Sequence, residues 1–295
     1  MKITLTGSLG NIGKPLAKQL IEKGHAIAVI SSNPEKSKEI EALGAVAAIG
    51  SVADAGFLAS AFEGSDAVFL MVPPNFTTPD SRAYYQTVGH SYAQAIKQAN
   101  VKRAVHVSSW GAHLAQGTGF IVGSHDVEVI LNKLSDVAIT HLRPGSFYNN
   151  LYGFVGMIKQ AGIIGSSYGG DDKVVMVAPG DIADAAAEEL TTKAGSGKIR
   201  YVASEDITAS EAAHILGAAI GKPDLQWVTF SNEQTLAGLQ QTGMPAQVAE
   251  LLVELGAAIH NGALREDYDL HRPVKMGKIK LTDFAKEFAA AFNKS

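Results

Sequence analysis

The feature that most constrains the fold is the alternation, from Lys2 to Arg143, of short β-branched segments with longer helical patterns. Such alternation is typical of βαβ units, in which a helix connects two parallel strands. The predicted strands are Ile3–Thr6, Ala26–Ile30, Ala45–Ile49, Ala67–Val72, Arg103–Ser108 and Ala138–Arg143. The predicted helices between them are Ile12–Lys23, Pro34–Leu43, Gly56–Phe62, Ser81–Asn100 and Ser124–Leu134. We therefore expect an α/β fold with a doubly wound parallel sheet.

A glycine motif lies at the first strand–helix junction. Gly7, Gly10 and Gly13 have the spacing G-x-x-G-x-x-G, a variant of the dinucleotide-binding fingerprint. Gly7 allows a tight turn, Gly10 lets backbone amides approach a pyrophosphate, and Gly13 lets the helix lie close to the sheet. The helix N-terminus then offers unpaired N–H groups to the phosphates. Three glycines also fit an ordinary turn, but their position in the first βαβ unit favours a Rossmann-like dinucleotide site.

The pattern changes after Arg143. A glycine- and aromatic-rich stretch, Ser146 to Asp172, is followed by a predicted strand, helix and strand, and the chain is mostly helical from Thr208 onward. We predict an NAD(P)-binding Rossmann-like domain of residues 1–150 plus about 174–203. A smaller, mostly helical cap domain is predicted from residues 151–173 and 204–295, with the cleft between the domains as the binding site.

Charge and composition exclude several functional classes. The 295 residues include 25 bases and 29 acids, a net charge of -4 without a basic block, so no nucleic-acid partner is expected. The absence of cysteine excludes disulfides, thiolate zinc sites and cysteine nucleophiles. His106, His113, His125 and Asp126 lack the spacing of a metal-ligand set, so no metal is predicted.

No targeting or membrane segment is recognisable in the sequence. It shows neither a secretory signal nor a run of about 20 apolar residues. We therefore expect a soluble, cytoplasmic protein that acts on a small-molecule substrate without a membrane partner. A homodimer is compatible with the sequence, which does not determine the oligomeric state.

The end of the second strand indicates which dinucleotide binds. An acid there would bind the ribose 2′-hydroxyl of NAD, but the chain reads Ser31-Ser32-Asn33-Pro34-Glu35-Lys36, with no acid at the strand tip. The first three side chains are able to donate hydrogen bonds to a 2′-phosphate, and Lys36 supplies positive charge. NADP(H) is therefore predicted over NAD(H). The same residues also form a strong turn signal, and the arginine that would bind a phosphate best is missing.

These motifs and several later ones resemble the NmrA-like family of atypical short-chain dehydrogenases/reductases, and within it the NADPH quinone-oxidoreductase type. The resemblance covers nearly the whole chain. Besides the glycine motif, it rests on Ser31–Lys36, Val101-Lys102-Arg103 leading to Ser108-Ser109, Ser124-His125-x-x-Glu128, Arg143-Pro144-Gly145-x-Phe147-x-x-Asn150, Asp181-Ile182-Ala183 and Thr242-Gly243-Met244-Pro245. The family implies a Rossmann domain that holds NADP(H) and a smaller domain that closes a cleft over the nicotinamide.

The resemblance also implies which residues contact the cofactor. Pyrophosphate contacts fall on Ser8, Leu9, Gly10, Asn11 and Ile12, and 2′-phosphate contacts on Ser31, Asn33 and Lys36. The adenine lies near Gly50 and Ser51, and the nicotinamide ribose near Val72, Pro73 and Pro74. Two positions depart from the family, because Ser31 or Ser32 stands where arginine is common and Ser51 stands where aspartate is common.

The proton-donating apparatus of ordinary short-chain dehydrogenases is missing. Those enzymes use a serine after the fifth strand and a Tyr-x-x-x-Lys on the next helix. With Glu128 aligned to the family's helix glutamate, Phe120 and Ser124 stand at the tyrosine and lysine positions. Ser108 is predicted to contact the cofactor, and either Ser108 or Ser109 to bind a substrate carbonyl.

His125 is the remaining candidate for proton transfer. The ordinary pKa of histidine, about 6.5, suits proton exchange near neutral pH. Glu128 lies three positions later on the predicted helix and is placed to pair with the imidazole. We predict that His125 positions the substrate or donates a proton after hydride transfer. A structural pair at the helix start is an equally weighted alternative.

An aromatic cluster follows Arg143. Phe147 is predicted to stack on a quinone or on the nicotinamide, and Tyr148 to donate a hydrogen bond to the substrate. Packing in the core is the commoner fate of Phe147, Tyr148, Tyr152 and Phe154 at this density. Asn150 matches the family motif and is assigned to the substrate side, or alternatively to a helix cap.

Two functions remain open. The first is an NADPH-dependent oxidoreductase that transfers hydride to a small quinone-like or carbonyl substrate in the interdomain cleft. Proximity supplies much of the acceleration for such an acceptor, which fits the missing tyrosine and lysine. The second is a non-catalytic NADP(H)-binding redox sensor that acts through a protein partner.

Overall fold

The computed structural model describes residues 1–75, 77–192 and 197–294. Its strands are β1 (Lys2–Leu5), β2 (Ala26–Ser31), β3 (Val46–Ile49), β4 (Ala67–Met71), β5 (Arg103–Val107), β6 (Ala138–Pro144), β7 (Ser146–Phe147), β8 (Ile164–Ser166), β9 (Lys173–Val177), β10 (Ile199–Val202), β11 (Glu205–Thr208) and β12 (Trp227–Thr229).

Helices connect most of these strands. The α-helices are α1 (Gly13–Glu22), α2 (Ser37–Ala42), α3 (Ala55–Phe62), α4 (Ser81–Gln98), α5 (Ile121–Leu131), α6 (Val155–Ala161), α7 (Pro179–Thr191), α8 (Ala209–Ala219), α9 (Asn232–Gln241), α10 (Ala246–His260), α11 (Glu266–Leu270) and α12 (Leu281–Lys294). Short 3-10 helices lie at Pro34–Lys36, Tyr148–Phe154 and Ala263–Arg265. Each of these α-helices is too short or too polar to cross a lipid bilayer.

The main sheet has seven strands in the order β10-β6-β5-β4-β1-β2-β3. The first strand, β1, lies at the centre and pairs in parallel with β2 and β4, so that Ile3 is opposite Ile27 on one side and Ala67 on the other. The order reverses at β1, which makes the sheet doubly wound and of the Rossmann type. All six predicted strands of the first half are present within two residues of their predicted bounds. The predicted fold class is therefore confirmed.

The chain packs into two compact units. The first consists of Met1–Ser109, Gly123–Arg143 and Ile182–Arg200, and the second of Trp110–Val122, Pro144–Asp181 and the chain from Tyr201 onward. Buried strand residues of the first unit, such as Val68 and Leu70, pack on buried helix residues such as Tyr92 and Val127. This apolar layer holds α4 and α5 against the sheet. The predicted functional division at residue 150 stays a prediction.

The second unit contains more β-structure than predicted. Its helices α8, α9, α10 and α12 lie after Thr208, in the part of the chain predicted to be mostly helical. In addition, β7, β9 and β11 form a three-stranded sheet, and β8 and β12 form a two-stranded one. The strands that were not predicted are two to four residues long, too short to show the alternation that indicates a strand.

Two buried histidines face each other between neighbouring strands of the main sheet. His106 on β5 is opposite His141 on β6, and their Nδ1 atoms lie 3.0 Å apart. Burial lowers the pKa of His106 well below its usual 6.5, and a charge on His141 would lower it further. Burial also lowers the pKa of His141, as Arg143 and Lys198 do, against the opposing effect of Glu128. Both imidazoles are therefore neutral, one Nδ1 donating to the other.

This pair predicts a specific pH dependence of stability. The unfolded chain binds more protons at His106 and His141 below about pH 6.5, so their contribution is complete above that pH and is lost as the pH falls. We expect the free energy of unfolding to drop between pH 6.5 and 5 by up to about 1.4 kcal/mol per pH unit for each histidine. Denaturant titrations of a His106→Gln/His141→Gln variant should show a flatter profile than wild type, while His90→Gln, at an exposed site on α4, keeps the wild-type slope. Parallel profiles for wild type and the double variant would exclude the pair as the cause.

Candidate functional site

The glycine motif forms a tight turn between β1 and α1. Gly7 has a φ of 90°, and Ser8 has a φ of 56°, so two successive residues lie in the left-handed region. The Ser8 N–H donates to the carbonyl of Ile30 at 3.0 Å, which ties the turn to β2. A Cβ on Gly13 would lie 2.1 Å from the Ser8 carbonyl oxygen. Gly13 therefore lets the start of α1 lie against the backbone of the turn itself. The sequence had predicted that this glycine lets the helix lie close to the sheet.

The turn leaves the start of α1 open. No side chain caps this helix, and its first turn contains no acid. Gly10 and Asn11 are exposed, whereas Leu9 and Ile12 are buried in the core. Uncapped amides at a helix N-terminus bind anions well because they carry unsatisfied N–H groups and the positive end of the helix dipole. Backbone at Gly10 and Asn11 is thus the exposed part of the predicted pyrophosphate site.

Ser31 connects the glycine turn to the segment after β2. Its side chain is buried. Its hydroxyl lies 3.1 Å from that of Ser8 and accepts a hydrogen bond from the Asn33 N–H at 3.2 Å. Its contact with a 2′-phosphate stays a prediction. The amide oxygen of Asn33 accepts from the N–H of Glu35 at 2.9 Å, which confirms the turn that the Ser-Asn-Pro sequence also indicated.

Two lysines, Lys14 and Lys36, meet at Glu39, and we call this group of three residues the corner. The lysines supply its positive charge. Lys36 Nζ lies 2.8 Å from one carboxylate oxygen of Glu39, and Lys14 Nζ lies 3.0 Å from the other. The hydrogen bond from Lys36, followed by that from Lys14, lowers the pKa of the Glu39 carboxyl. Lys14 was not predicted as a site residue, because only folding brings the first turn of α1 beside α2.

The other predicted cofactor contacts lie along the same edge of the sheet. Gly50 and Ser51 follow β3, and the Gly50 N–H donates to the Ser31 carbonyl at 3.0 Å. The segment Val72 to Pro74 follows β4, with Val72 buried and Pro74 exposed. The carboxyl ends of β1, β2, β3 and β4 therefore bring the predicted contacts to one edge, where doubly wound sheets bind their ligands.

A buried ion pair stands at the end of β5. Glu128 on α5 accepts hydrogen bonds from Arg143 Nη2 at 2.7 Å and from Nε at 3.0 Å. It also accepts from the Ser108 hydroxyl at 2.5 Å. The side chains of Glu128 and Arg143 are 7% and 5% exposed, so the pair is almost fully desolvated. The Ser108 hydroxyl thereby binds Glu128 directly after the end of β5. Its contact with the cofactor or substrate stays a prediction.

His125 lies in the second turn of α5, because that helix begins three residues earlier than predicted. The imidazole is half-buried. The carboxylate of Glu128, which was predicted to pair with it, binds Arg143 and Ser108. The neighbouring Asp126 forms a bidentate pair with Arg82, whose hydrogen bond lowers the pKa of the aspartate. The role of His125 itself stays a prediction.

The residues predicted for the substrate have different environments. Ser109 is half-buried in the first unit, directly after Ser108. Tyr148, in the second unit, is completely buried, donates to Glu205 at 2.7 Å and stacks on Phe284. Burial, chiefly, raises the pKa of its hydroxyl. Tyr148 thus packs in the core, as the alternative for the aromatic cluster expected, and its hydroxyl is bound to Glu205. Its role toward a substrate stays a prediction.

Phe147 and Asn150 belong to the second unit as well. Phe147 is half-buried on β7. Asn150 is exposed within a 3-10 helix, and its amide donates to the Ser146 hydroxyl at 3.4 Å. It caps neither that helix nor α6, whose N-cap positions are Phe147 and Phe154. Tyr152 packs on Phe284, with 5.2 Å between ring centroids, so core packing explains this part of the aromatic cluster.

Comparison with known proteins gives consistent matches along the chain. A model of the NmrA-like family matches residues 1–288. An NAD(P)H azoreductase of Xenophilus azovorans is 29% identical over 296 residues, covering 98% of this chain and 99% of the relative. Two solved structures share the fold. An NADPH-dependent quinone oxidoreductase of Escherichia coli, complexed with NADPH, has a TM-score of 0.83 at 23% identity, covering 97% of this chain and 99% of that one. A triphenylmethane reductase of Citrobacter sp., complexed with NADP(H), has a TM-score of 0.79 at 21% identity with the same coverage.

Proposed function

This chain belongs to the NmrA-like family, and on that premise we propose that it is an NADPH-dependent reductase of small quinone-like or carbonyl compounds. Its general class is that of the NAD(P)H-dependent oxidoreductases, as for its azoreductase relative. The proposed partner of this protein is a small-molecule substrate, and no nucleic acid takes part in the proposed reaction.

The observation that carries the proposal is the fit of the glycine turn to a dinucleotide. The exposed face of the turn consists of Gly10 and Asn11, and the uncapped start of α1 lies directly behind it. A Cβ on Gly10 would meet no protein atom nearer than the Gly7 carbonyl oxygen at 3.4 Å. The protein itself therefore has room for a side chain there, and glycine leaves that space to a ligand. This supports a pyrophosphate at the turn.

The end of β2 supports NADPH over NADH. No acidic residue stands at the strand tip, and Lys36 in the segment after it converges with Lys14 on Glu39. Two lysines favour a ligand with an additional phosphate, because each contributes a point charge without needing a fixed orientation. Ser32 and Asn33 are exposed next to them and complete the proposed 2′-phosphate contacts.

Removing one of these charges tests the preference. We expect Lys36→Gln to weaken NADPH binding by roughly two- to fivefold and to change NADH binding much less, since an exposed charge contributes up to about 1 kcal/mol. Fluorescence titration with both cofactors measures the ratio. Lys38→Gln, an exposed lysine two residues away, serves as the matched control and should leave the ratio unchanged. Equal weakening of both cofactors by Lys36→Gln, or tighter binding of NADH by wild type, would overturn the preference.

The proposed role of this chain's residues is to orient the reactants. They do not replace the tyrosine and lysine that ordinary short-chain dehydrogenases use. When bound, the nicotinamide supplies the hydride. Phe120 and Ser124 stand where ordinary short-chain dehydrogenases have tyrosine and lysine, so no strong proton donor stands at those positions. A quinone-like acceptor is already electrophilic, and holding it near the nicotinamide supplies much of the acceleration. Ser109 and Phe147 are the proposed acceptor contacts.

The proposed proton donor is His125. If it protonates the reduced acceptor, His125→Ala should lower kcat by roughly tenfold or more, with the Kd for NADPH unchanged. His90→Ala, at an exposed site on α4, controls for removal of an imidazole. Steady-state kinetics at saturating NADPH provide the measurement. Wild-type kcat for His125→Ala would remove the residue from the mechanism and leave solvent as the proton source.

A non-catalytic sensor is the second candidate, and it is not favoured. The azoreductase relative, which matches nearly the full chain, is a reductase by name. NADPH oxidation against a panel of small quinones, azo dyes and carbonyl compounds distinguishes the two functions. Oxidation with at least one acceptor supports the enzyme, and sub-micromolar NADPH binding without any oxidation supports the sensor.

A further inference from the structure

Glu39 occupies a position that an anionic ligand would compete for. Its two carboxylate oxygens bind one lysine each, Lys14 from α1 at 3.0 Å and Lys36 from the 3-10 helix at 2.8 Å. The exposed fractions of the three side chains are 55% for Lys14, 44% for Lys36 and 38% for Glu39. Solvent, and therefore a ligand, reaches every partner of this cluster. The carboxylate thus bridges two cations, one of them in the segment that follows β2.

The location of Lys14 indicates that a negatively charged group is needed beside it. Lys14 is the second residue of α1, and the first turn of that helix contains no acid. The helix dipole disfavours a cation in the first turn, because that end of the helix carries partial positive charge. Glu39 offsets this cost from outside the helix. Another negative group that took the place of Glu39 would offset the same cost.

We propose that Glu39 sets the discrimination between NADPH and NADH by acting as an internal counter-ion that the 2′-phosphate displaces from Lys14 and Lys36. The inference rests on the proposed function, since it assumes that the phosphate binds at this corner. A phosphate monoester carries more charge than a carboxylate and has three acceptor oxygens, so it replaces Glu39 on both lysines. NADH has no phosphate at that position and leaves the two salt bridges in place. Glu39 therefore lowers the affinity for NADPH specifically.

The test uses two nucleotides that differ only in the 2′-phosphate. Calorimetric titration of the full chain with 2′,5′-ADP and with 5′-ADP isolates the contribution of the phosphate. We expect Glu39→Gln to bind 2′,5′-ADP roughly three- to tenfold more tightly than wild type at low salt, with 5′-ADP changed by less than about twofold. The gain should shrink at high ionic strength, because salt screens exposed charges.

A matched variant separates competition from general electrostatics. Glu41→Gln removes an equal charge from the same helix, two residues away, and should give less than about half of the gain in affinity. A Glu39→Gln/Lys14→Gln variant should lose the gain, because one of the two cations that the phosphate uses is then missing. Thermal unfolding of each variant verifies that it is folded.

Several results would overturn the inference. Equal gains for Glu39→Gln and Glu41→Gln would mean that only net charge matters. Weaker binding of 2′,5′-ADP by Glu39→Gln would mean that Glu39 holds the lysines in position and does not compete with the ligand. The inference rests on the part of the proposed function that places NADPH at this corner. If that part fails, wild type binds neither 2′,5′-ADP nor NADPH, which is distinct from each of the results above.

Discussion

Replacing Gly13 with alanine is expected to abolish cofactor binding, with an affinity for NADPH at least about 100-fold below that of wild type. The new Cβ would lie 2.1 Å from the Ser8 carbonyl oxygen, closer than any real contact, so the turn and α1 must separate. Ser8 cannot absorb the shift easily. It already has a φ of 56° and is tied to Ile30 and Ser31 by hydrogen bonds. The backbone amides that face the pyrophosphate move with it.

Two glycine variants control for this result. Gly156→Ala, in α6, introduces a Cβ with no atom within 4 Å and should leave binding and stability close to wild type. Gly10→Ala is accommodated by the protein and should reduce NADPH binding without a change in thermal stability, because only the ligand approaches that space. Wild-type NADPH affinity in Gly13→Ala, or in Gly10→Ala, would contradict a pyrophosphate at this turn.

Glu128→Ala is expected to have the largest effect on stability. It would leave the Arg143 guanidinium buried without its carboxylate and the Ser108 hydroxyl without its acceptor. Breaking a buried pair by removing one partner costs about 3–5 kcal/mol, since the remaining charge stays desolvated. Chemical denaturation should therefore show a loss of about that size in the free energy of unfolding. Because Ser108 and Arg143 end β5 and β6, activity should fall with stability.

A neighbouring ion pair on the same helix provides the control. Asp126 binds Arg82 in a bidentate pair, but the Arg82 side chain is 51% exposed. Asp126→Ala should cost at most about 1 kcal/mol, as for other exposed pairs. Similar losses for Glu128→Ala and Asp126→Ala would show that burial of the Glu128 pair does not matter for stability.

The architecture of the first half was predictable because its signals are local. β-branched runs, helix-length spacers and the glycine spacing each report on neighbouring residues, and β1 to β6 lie where these signals predict them. The short strands of the second unit were missed. In β8 and β12, three residues suffice because each strand pairs with the other, and that pairing is not encoded in either segment alone.

The candidate site was only partly predictable, because several side chains have partners far away in sequence. Ser31 was expected to face a phosphate, but its hydroxyl meets that of Ser8. Helix spacing placed Glu128 near His125, three residues back, but gave no sign of its contact with Arg143, fifteen residues further on. The missing signal in both cases was side-chain direction, which depends on the packing of the sheet. Periodicity cannot supply it.

The most direct test of the central claim is a single-turnover measurement of NADPH absorbance after mixing the protein–NADPH complex with a small quinone. The account predicts loss of the NADPH signal with a rate that saturates with quinone concentration. The loss should be strongly reduced in Gly10→Ala at the same cofactor concentration. A stable NADPH signal in the wild-type complex, with every acceptor of the panel, would contradict the claim that this chain is a reductase.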